Sequence, residues 1–317
     1  MKILLFRSWL GLAFAAGLSL ACCLSVLAGG QVYVSGDVCG SSGCFGQPQV
    51  PPDATNVIAV AAGYSHLLAL RGDGRVVAWG ASCSNPLVPA QQPPPGLSNV
   101  VAIAAAPSQS WALKRDGHLF TWGGTCTSGW HTNIPVGLTD VSVFAAGNSA
   151  CLAVRSNGTV VAWGAPRLFG APSFESDNYL TNIPSSLTNV VSVAVGPYHA
   201  LALNGDGTVT AWPDYRAIWP SYWGYVGQTD VPPGLGGVVA VAAGGRCSLA
   251  LRSNGTVVAW GALGGTNTPV GLSKVVSIAA SSEVGGPPHC GLADHADGSS
   301  VVWGYVGGGI LSDGERD

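Results

Sequence analysis

The chain has 317 residues, a formal net charge of -3, only 9% charged residues, 46 glycines and 21 prolines. So sparse and slightly acidic a charge set excludes nucleic acid as a partner, because phosphate binding needs a basic surface. Mean hydropathy of +0.35 would suit a membrane protein, yet beyond the N-terminus no apolar run approaches the ~18 residues of a spanning helix. The glycines and prolines indicate many turns between short strands instead.

The N-terminus reads as a targeting segment. Lys2 and Arg7 supply a positive start, and an apolar stretch runs from Leu10 to Leu27. Val26 and Ala28 stand at the −3 and −1 positions of a small-residue cleavage site. The pattern predicts a secretory signal peptide over residues 1–28, cleaved after Ala28, and a single domain over 29–317. A lipoprotein reading would use Cys22 behind Ser19-Leu20-Ala21, where the serine fits poorly; an uncleaved signal anchor is a third reading.

An internal repeat then governs the rest of the chain. Val76-Val77-Ala78-Trp79-Gly80 returns around Trp122, Trp163, Trp212, Trp260 and Trp303, at separations of 43, 41, 49, 48 and 43 residues. Units close near Gly36, Gly80, Gly123, Gly164, Pro213, Gly261 and Gly304. Each Trp strand follows an Asp-Gly or Asn-Gly pair: Asp73-Gly74, Asp116-Gly117, Asn157-Gly158, Asp206-Gly207, Asn254-Gly255 and Asp297-Gly298. Such pairs predict a type I′ hairpin turn, with φ > 0 at both central residues. A second strand precedes the turn, as in Leu67-Leu68-Ala69-Leu70. A third, as in Val57-Ile58-Ala59-Val60, ends in a small-residue corner. A proline opens each unit (Pro51, Pro94, Pro135, Pro184, Pro232, Pro269), and in the first five it lies 28 residues before the tryptophan. Near-continuous Val/Ala/Ile strands suit sheets covered on both faces. Units of 40 to 50 residues with three or four strands have the size of propeller blades. A β-solenoid is the rival, but its rungs are shorter and lack a hairpin at a fixed place.

The combined pattern, VVAVAAG–x–x–H–x–LAL–x–x–DG–x–VVAWG, resembles the regulator of chromosome condensation repeat family over about residues 31–304. His66 and His199 match its characteristic histidine, while Gln109, Ala150, Cys247 and Cys290 depart from it. The resemblance implies an all-β, seven-bladed propeller. Six repeats are complete. Gln31–Gly36 resembles a seventh copy of the Trp-Gly strand, so the closing blade is incomplete, its remainder expected from the C-terminus. In flavour the repeats are similar to secreted bacterial members, some of which are β-lactamase inhibitors, and this implies a binding scaffold.

Candidate chemistry is thin. His66 and His199 read as structural histidines at a tight corner. The other histidines have no metal-ligand spacing, so neither metal nor cofactor is expected. The turn aspartates are explained by backbone geometry, and no paired carboxylates or nucleophile elbow appear. Asn157-Gly158-Thr159 and Asn254-Gly255-Thr256 match a glycosylation sequon only because they are the repeat's turn. Seven cysteines lie beyond the leader. Cys39, Cys83 and Cys126 each fall three residues after a unit-closing Gly. Cys39 and Cys44 are close enough for a local bridge, a Cys83–Cys126 bridge is the alternative between neighbouring loops, and free thiols are the plain reading. Cys151, Cys247 and Cys290 fit core positions.

Function is expected in the variable loops, which a rigid scaffold holds in place. From closing residue to opening proline the spacing runs from 8 residues (Gly261 to Pro269) to 20 (Gly164 to Pro184). After Trp212, Tyr215, Trp219, Tyr222, Trp223 and Tyr225 crowd into 11 residues; Trp130, Phe169, Phe174 and Tyr179 precede them. Exposed Trp and Tyr are favoured at protein hot spots and stack on sugar rings; the plain reading is a small satellite core. The expectation is a monomeric, secreted or envelope-attached, non-enzymatic scaffold that binds a protein or a glycan. The alternatives are a nucleotide-exchange factor for a small GTPase, as in nuclear members, and an enzyme with its site in the axial funnel.

Overall fold

In this computed structural model the structure describes residues 49–63, 66–82, 85–89, 92–106, 109–123, 133–147, 150–164, 179–213, 226–261, 268–269, 272–280, 291–297 and 299–303. It also describes short strands at 13–14, 23–27, 31–35, 39–40, 43–44, 305–306 and 309–310. Six antiparallel sheets follow one another along the chain, each with an inner, a middle and an outer strand in sequence order. They are blades of a propeller. In blade one the three are Val57–Ala62, His66–Arg71 and Val76–Ser82, with Asn85–Pro89 added at the outer edge. In blade four they are Val190–Val195, Ala200–Asn204 and Val209–Trp212, and in blade five Val238–Ala243, Cys247–Arg252 and Val257–Gly261. Among the described residues the one helical element is a 3-10 turn, Tyr179–Thr181, and no helix is long and apolar enough to cross a membrane.

The core lies between blades. Leu68 and Leu70 of blade one pack with Val100, Ala112 and Trp122 of blade two. The same arrangement sets Leu249 and Leu251 of blade five against Val275, Ala293 and Trp303 of blade six. The middle strand is therefore buried on both faces, as its unbroken apolar run demands. Trp111 and Trp163 meet edge to face across blades two and three, 6.0 Å between centroids. Blade six breaks the rule. Asp294, almost fully buried, stands where Leu70 and Leu251 stand, and Ser300 Oγ donates to its Oδ1 at 2.8 Å.

The turns differ from the sequence-based expectation. Gly74, Gly117, Gly158, Gly207 and Gly255 have φ between 77° and 84°, but the Asp or Asn before each does not have positive φ. Gly74 N donates to Arg71 O, and Arg71 N donates to Arg75 O. This is a three-residue loop: a type I turn closed by a left-handed glycine bulge, not type I′. The Asp or Asn side chain decides it, because it accepts the amide two residues on. Asp73 takes Arg75 N at 3.1 Å and Asp206 takes Thr208 N at 3.0 Å, which holds a right-handed backbone at that residue. The glycine is needed twice over. Its carbonyl accepts the first amide of the next blade, as from Val100 N to Gly74 O and from Val141 N to Gly117 O, at 3.1 Å each. A Cβ on Gly117 would lie 2.6 Å from Thr139 O. The opening prolines make a second staple, each carbonyl accepting the amide three residues on, as from Leu97 to Pro94 and Leu235 to Pro232.

A further sheet is built from Ala13–Phe14, Cys23–Leu27 and Gln31–Ser35. Its first strand touches the inner strands of blades one and six, and Val32 packs on blade one's core. Gln31–Ser35 thus takes an outer-strand place, but its partners come from the N-terminal side and not from the C-terminus. The register explains this: Leu27 opposite Gln31 and Cys23 opposite Ser35 repeat, 44 residues earlier, Arg71 with Arg75 and Leu67 with Trp79. The apolar pattern that makes Leu24 and Val26 read as a leader is the pattern a middle strand needs.

Candidate functional site

Strand direction divides the connections between two ends of the ring. Hairpin turns and proline turns share one end with the start of each inner strand. The small-residue corners share the other with the C-terminal end of each outer strand, where the long connections begin. At the corners, neighbouring blades come very close: a Cβ on Gly196 would collide with Gly244 O, and one on Gly63 would lie 2.6 Å from Ala106 O.

The two histidines sit just past these corners. His66 is 6% exposed, and burial drives its pKa down to about 4, partly opposed by a hydrogen bond to the Gln109 backbone. His199 is fully buried, and the same desolvation drives it down to about 3. Both rings are therefore neutral at physiological pH. His199 Nε2 lies 2.8 Å from Ser248 Oγ, and Ser248 Oγ donates to Gln228 O at 2.8 Å. The hydroxyl hydrogen is committed to that carbonyl, so Nε2 is the donor to Ser248. A serine buried and bonded in this way is a strut, not a nucleophile. Sequence analysis reads both histidines as structural; in the fold both are buried beside a corner, and His199 is bonded to Ser248.

The strut leads to the variable loops. Gln228 is fully buried, and its Oε1 accepts Val226 N at 2.8 Å. Gln228 thus ties the chain after residues 214–225 to blade five and, through Ser248, to blade four. The other end of that connection starts at Trp212, 2% exposed, whose indole Nε1 donates to Leu180 O at 3.0 Å. Leu180 itself is fully buried and ends the connection 165–178. Two long connections of the ring are therefore rooted side by side, through Trp212. Sequence reasoning missed Gln228 and Leu180 as anchors.

Tyr215, Trp219, Tyr222, Trp223, Tyr225, Trp130, Cys83 and Cys126 lie outside the described residues. Cys39 and Cys44 fall opposite each other in a short hairpin. Cys151 and Cys247 are buried, and burial pushes the Cys151 thiol far up. Among the described residues no three His, Cys, Asp or Glu converge to hold a metal ion. The six inner strands carry no titratable side chain at all, so among the described residues the axial channel offers no acid or base.

The turn end has its own exposed series, which sequence reasoning also missed. Every inner strand has a bulge at its second residue. It turns Ile58, Val101, Val191, Val239 and Val276 outward, each 38–48% exposed; blade three has Ser142 there. Ion pairs such as Arg71–Asp73 and Arg155–Asp140, at 3.2 and 3.1 Å, surround this end.

The Regulator of chromosome condensation (RCC1) repeat profile matches residues 57–85, 190–212 and 238–262. These are blades one, four and five, the first two being the blades that hold His66 and His199. Those three blades are similar to the regulator of chromosome condensation repeat. Blades two, three and six, with Gln109, Ala150 and Cys290 at the histidine position, fall outside the match. Among solved structures, yeast RCC1 (Prp20) bound to Kap60 is similar with a TM-score of 0.59 at 22% identity, covering 82% of this chain and 72% of that one. The ectodomain of the Arabidopsis thaliana receptor kinase ACR4 gives 0.60 at 17% identity, covering 93% and 95%. Human WBSCR16 gives 0.58 at 20%, covering 85% of each. At these identities the likeness is one of fold. No curated protein matches the sequence.

Proposed function

We propose that this propeller is an exported binding scaffold that recognises a protein or glycan surface through its loop end, over blades three to five. The observation that carries the reading is the shared root of the two connections. Trp212 bonds Leu180, and Gln228 is held by Ser248 and His199. Buried, hydrogen-bonded anchors at the base of a long loop reduce the entropy lost on binding. Between the anchors, five Trp and Tyr residues crowd into 11 positions, the residue types that dominate hot spots and sugar stacking. Export rests on Lys2, Arg7 and the apolar stretch Leu10–Leu27; cleavage after Ala28 would remove the strands Ala13–Phe14 and Cys23–Leu27 and leave Gln31–Ser35 as the first strand of the exported chain. Yeast RCC1 has been solved in complex with the protein Kap60, which is in keeping with a propeller that presents a protein-binding face.

The test is a pull-down from the host's secreted fraction and wall extract. It compares the intact protein with a version in which residues 214–225 become Gly/Ser while Trp212 and Gln228 are kept. A partner or oligosaccharide held only by the intact protein supports the reading. Equal capture by both removes the aromatic connection from the site. Full-length chain retained in the cytosol would contradict export and restore the exchange-factor reading.

A further inference from the structure

We propose that Cys39 and Cys44 form a disulfide that clips the connection leading from the N-terminal sheet to Pro51. The claim rests on the export reading, because a cytosolic glutathione pool keeps such thiols reduced.

The backbone register carries it. Cys39–Gly40 pairs antiparallel with Gly43–Cys44, Gly40 opposite Gly43 and Cys39 opposite Cys44. The register leaves two residues between the paired Gly40 and Gly43, the spacing of a two-residue hairpin. The pair flanking such a loop exchanges the backbone hydrogen bonds, and paired and unpaired positions alternate outward along an antiparallel ladder. Cys39 and Cys44 are one step out, so they occupy the non-hydrogen-bonded kind of pair. There Cα atoms approach to about 4.5 Å, inside the range of about 4.4–6.8 Å that a disulfide spans. Residues directly opposite also share one face of the ladder. Glycine on both sides of the loop lets the hairpin adjust without side-chain crowding.

The rival pairings are weaker. Cys83 and Cys126 occupy the same place after their closing glycines as Cys39 does, but Val88 and His131 stand five residues further on, where Cys39 has Cys44. Cys151 and Cys247 are buried in the core. The chemistry balances with a disulfide oxidant of the glutathione type. The Cys39 or Cys44 thiolate displaces one glutathione, and the second cysteine displaces the other. Two protein thiols thus become one S–S bond, and one oxidised glutathione becomes two reduced molecules.

Two arms test this and separate it from export. In the first, the full chain is purified under reduction, re-oxidised in a glutathione buffer, alkylated while folded and mapped by mass spectrometry. The expected result is one peptide pair joined through Cys39 and Cys44, with Cys151 and Cys247 still thiols. Cys44→Ser should leave Cys39 alkylated and the remaining map unchanged. Alkylation of both cysteines, or a link from Cys39 to Cys83 or Cys126, overturns the proposal. In the second arm the protein is taken from its host under acid quench. A bond found there supports both readings; a bond that forms in the buffer but is absent from the host protein contradicts export alone.

Discussion

The two ends of the ring are built on opposite terms. At the turn end the connection is one object repeated: a side chain accepting an amide, a left-handed glycine, and that glycine's carbonyl bonded to the next blade. At the loop end the connections vary in length, and two of them meet at Trp212. A repeated turn cannot vary, because its glycine is constrained both by φ and by the neighbouring backbone. A loop rooted at Trp212 and Gln228 can vary freely between those points. The ring thus separates the residues that hold it together from those free to acquire a partner.

The sharpest contrast lies in stability. Trp111 is fully buried and touches Trp163 across the blade interface; Trp111→Ala should cost about 3–5 kcal/mol in urea unfolding. At the turn end, Gly117→Ala puts a Cβ 2.6 Å from Thr139 O at a φ of 84°. It should cost about 2–4 kcal/mol from strain and crowding together. An unchanged midpoint for the Gly117→Ala variant would break the account of the turn as an inter-blade staple.

Acid should act next, through the roots of the loops. His66 and His199 are neutral in the fold, with pKa values of about 4 and about 3, while the unfolded chain takes up protons below about 6.5. Their contribution is complete above that value and declines as pH falls toward the folded values, by about 1.4 kcal/mol per pH unit for each ring. By pH 5 the loss should be about 2 kcal/mol for each. His199→Gln should flatten part of that slope in thermal melts between about pH 7 and 5, and an unaltered slope would contradict the burial argument. Asn254 accepts both Thr256 N and Thr256 Oγ1, so Asn254→Ala should cost about 1 kcal/mol. Replacing residues 214–225 by Gly/Ser should stay within about 0.5 kcal/mol while abolishing binding.

The parts legible in the sequence were those with local causes. Val-Val-Ala-Trp strands, their alternation with turns and the 28-residue spacing from Pro to Trp report blades directly. The turn type was misread, since Asp-Gly and Asn-Gly serve both type I′ and the glycine-bulge loop; the amide two residues on decides between them. The apolar run at Cys23–Leu27 serves two readings, because a leader's apolar core and a middle strand look alike. Its 44-residue offset from Leu67–Arg71 is the signal that finds it. The anchors were the least legible. Gln228 looks like an ordinary polar loop residue, and only Ser248, 20 residues on, together with His199 from another blade, makes it a buried one. Asp294 is similar: its replacement of a core leucine is visible in the sequence, but the Ser300 hydroxyl that donates to it belongs to the next strand of the blade.

The central claim is that the loop end, not the turn end, carries the partner. It is tested most directly by cross-linking the captured partner to the intact protein and mapping the links. The account predicts links to the connections at 165–178 and 214–225 and none to the exposed series Ile58, Val101, Val191, Val239 and Val276 or its neighbours. Links concentrated on the hairpin turns around Asp73, Asp116 and Asp206 would contradict it.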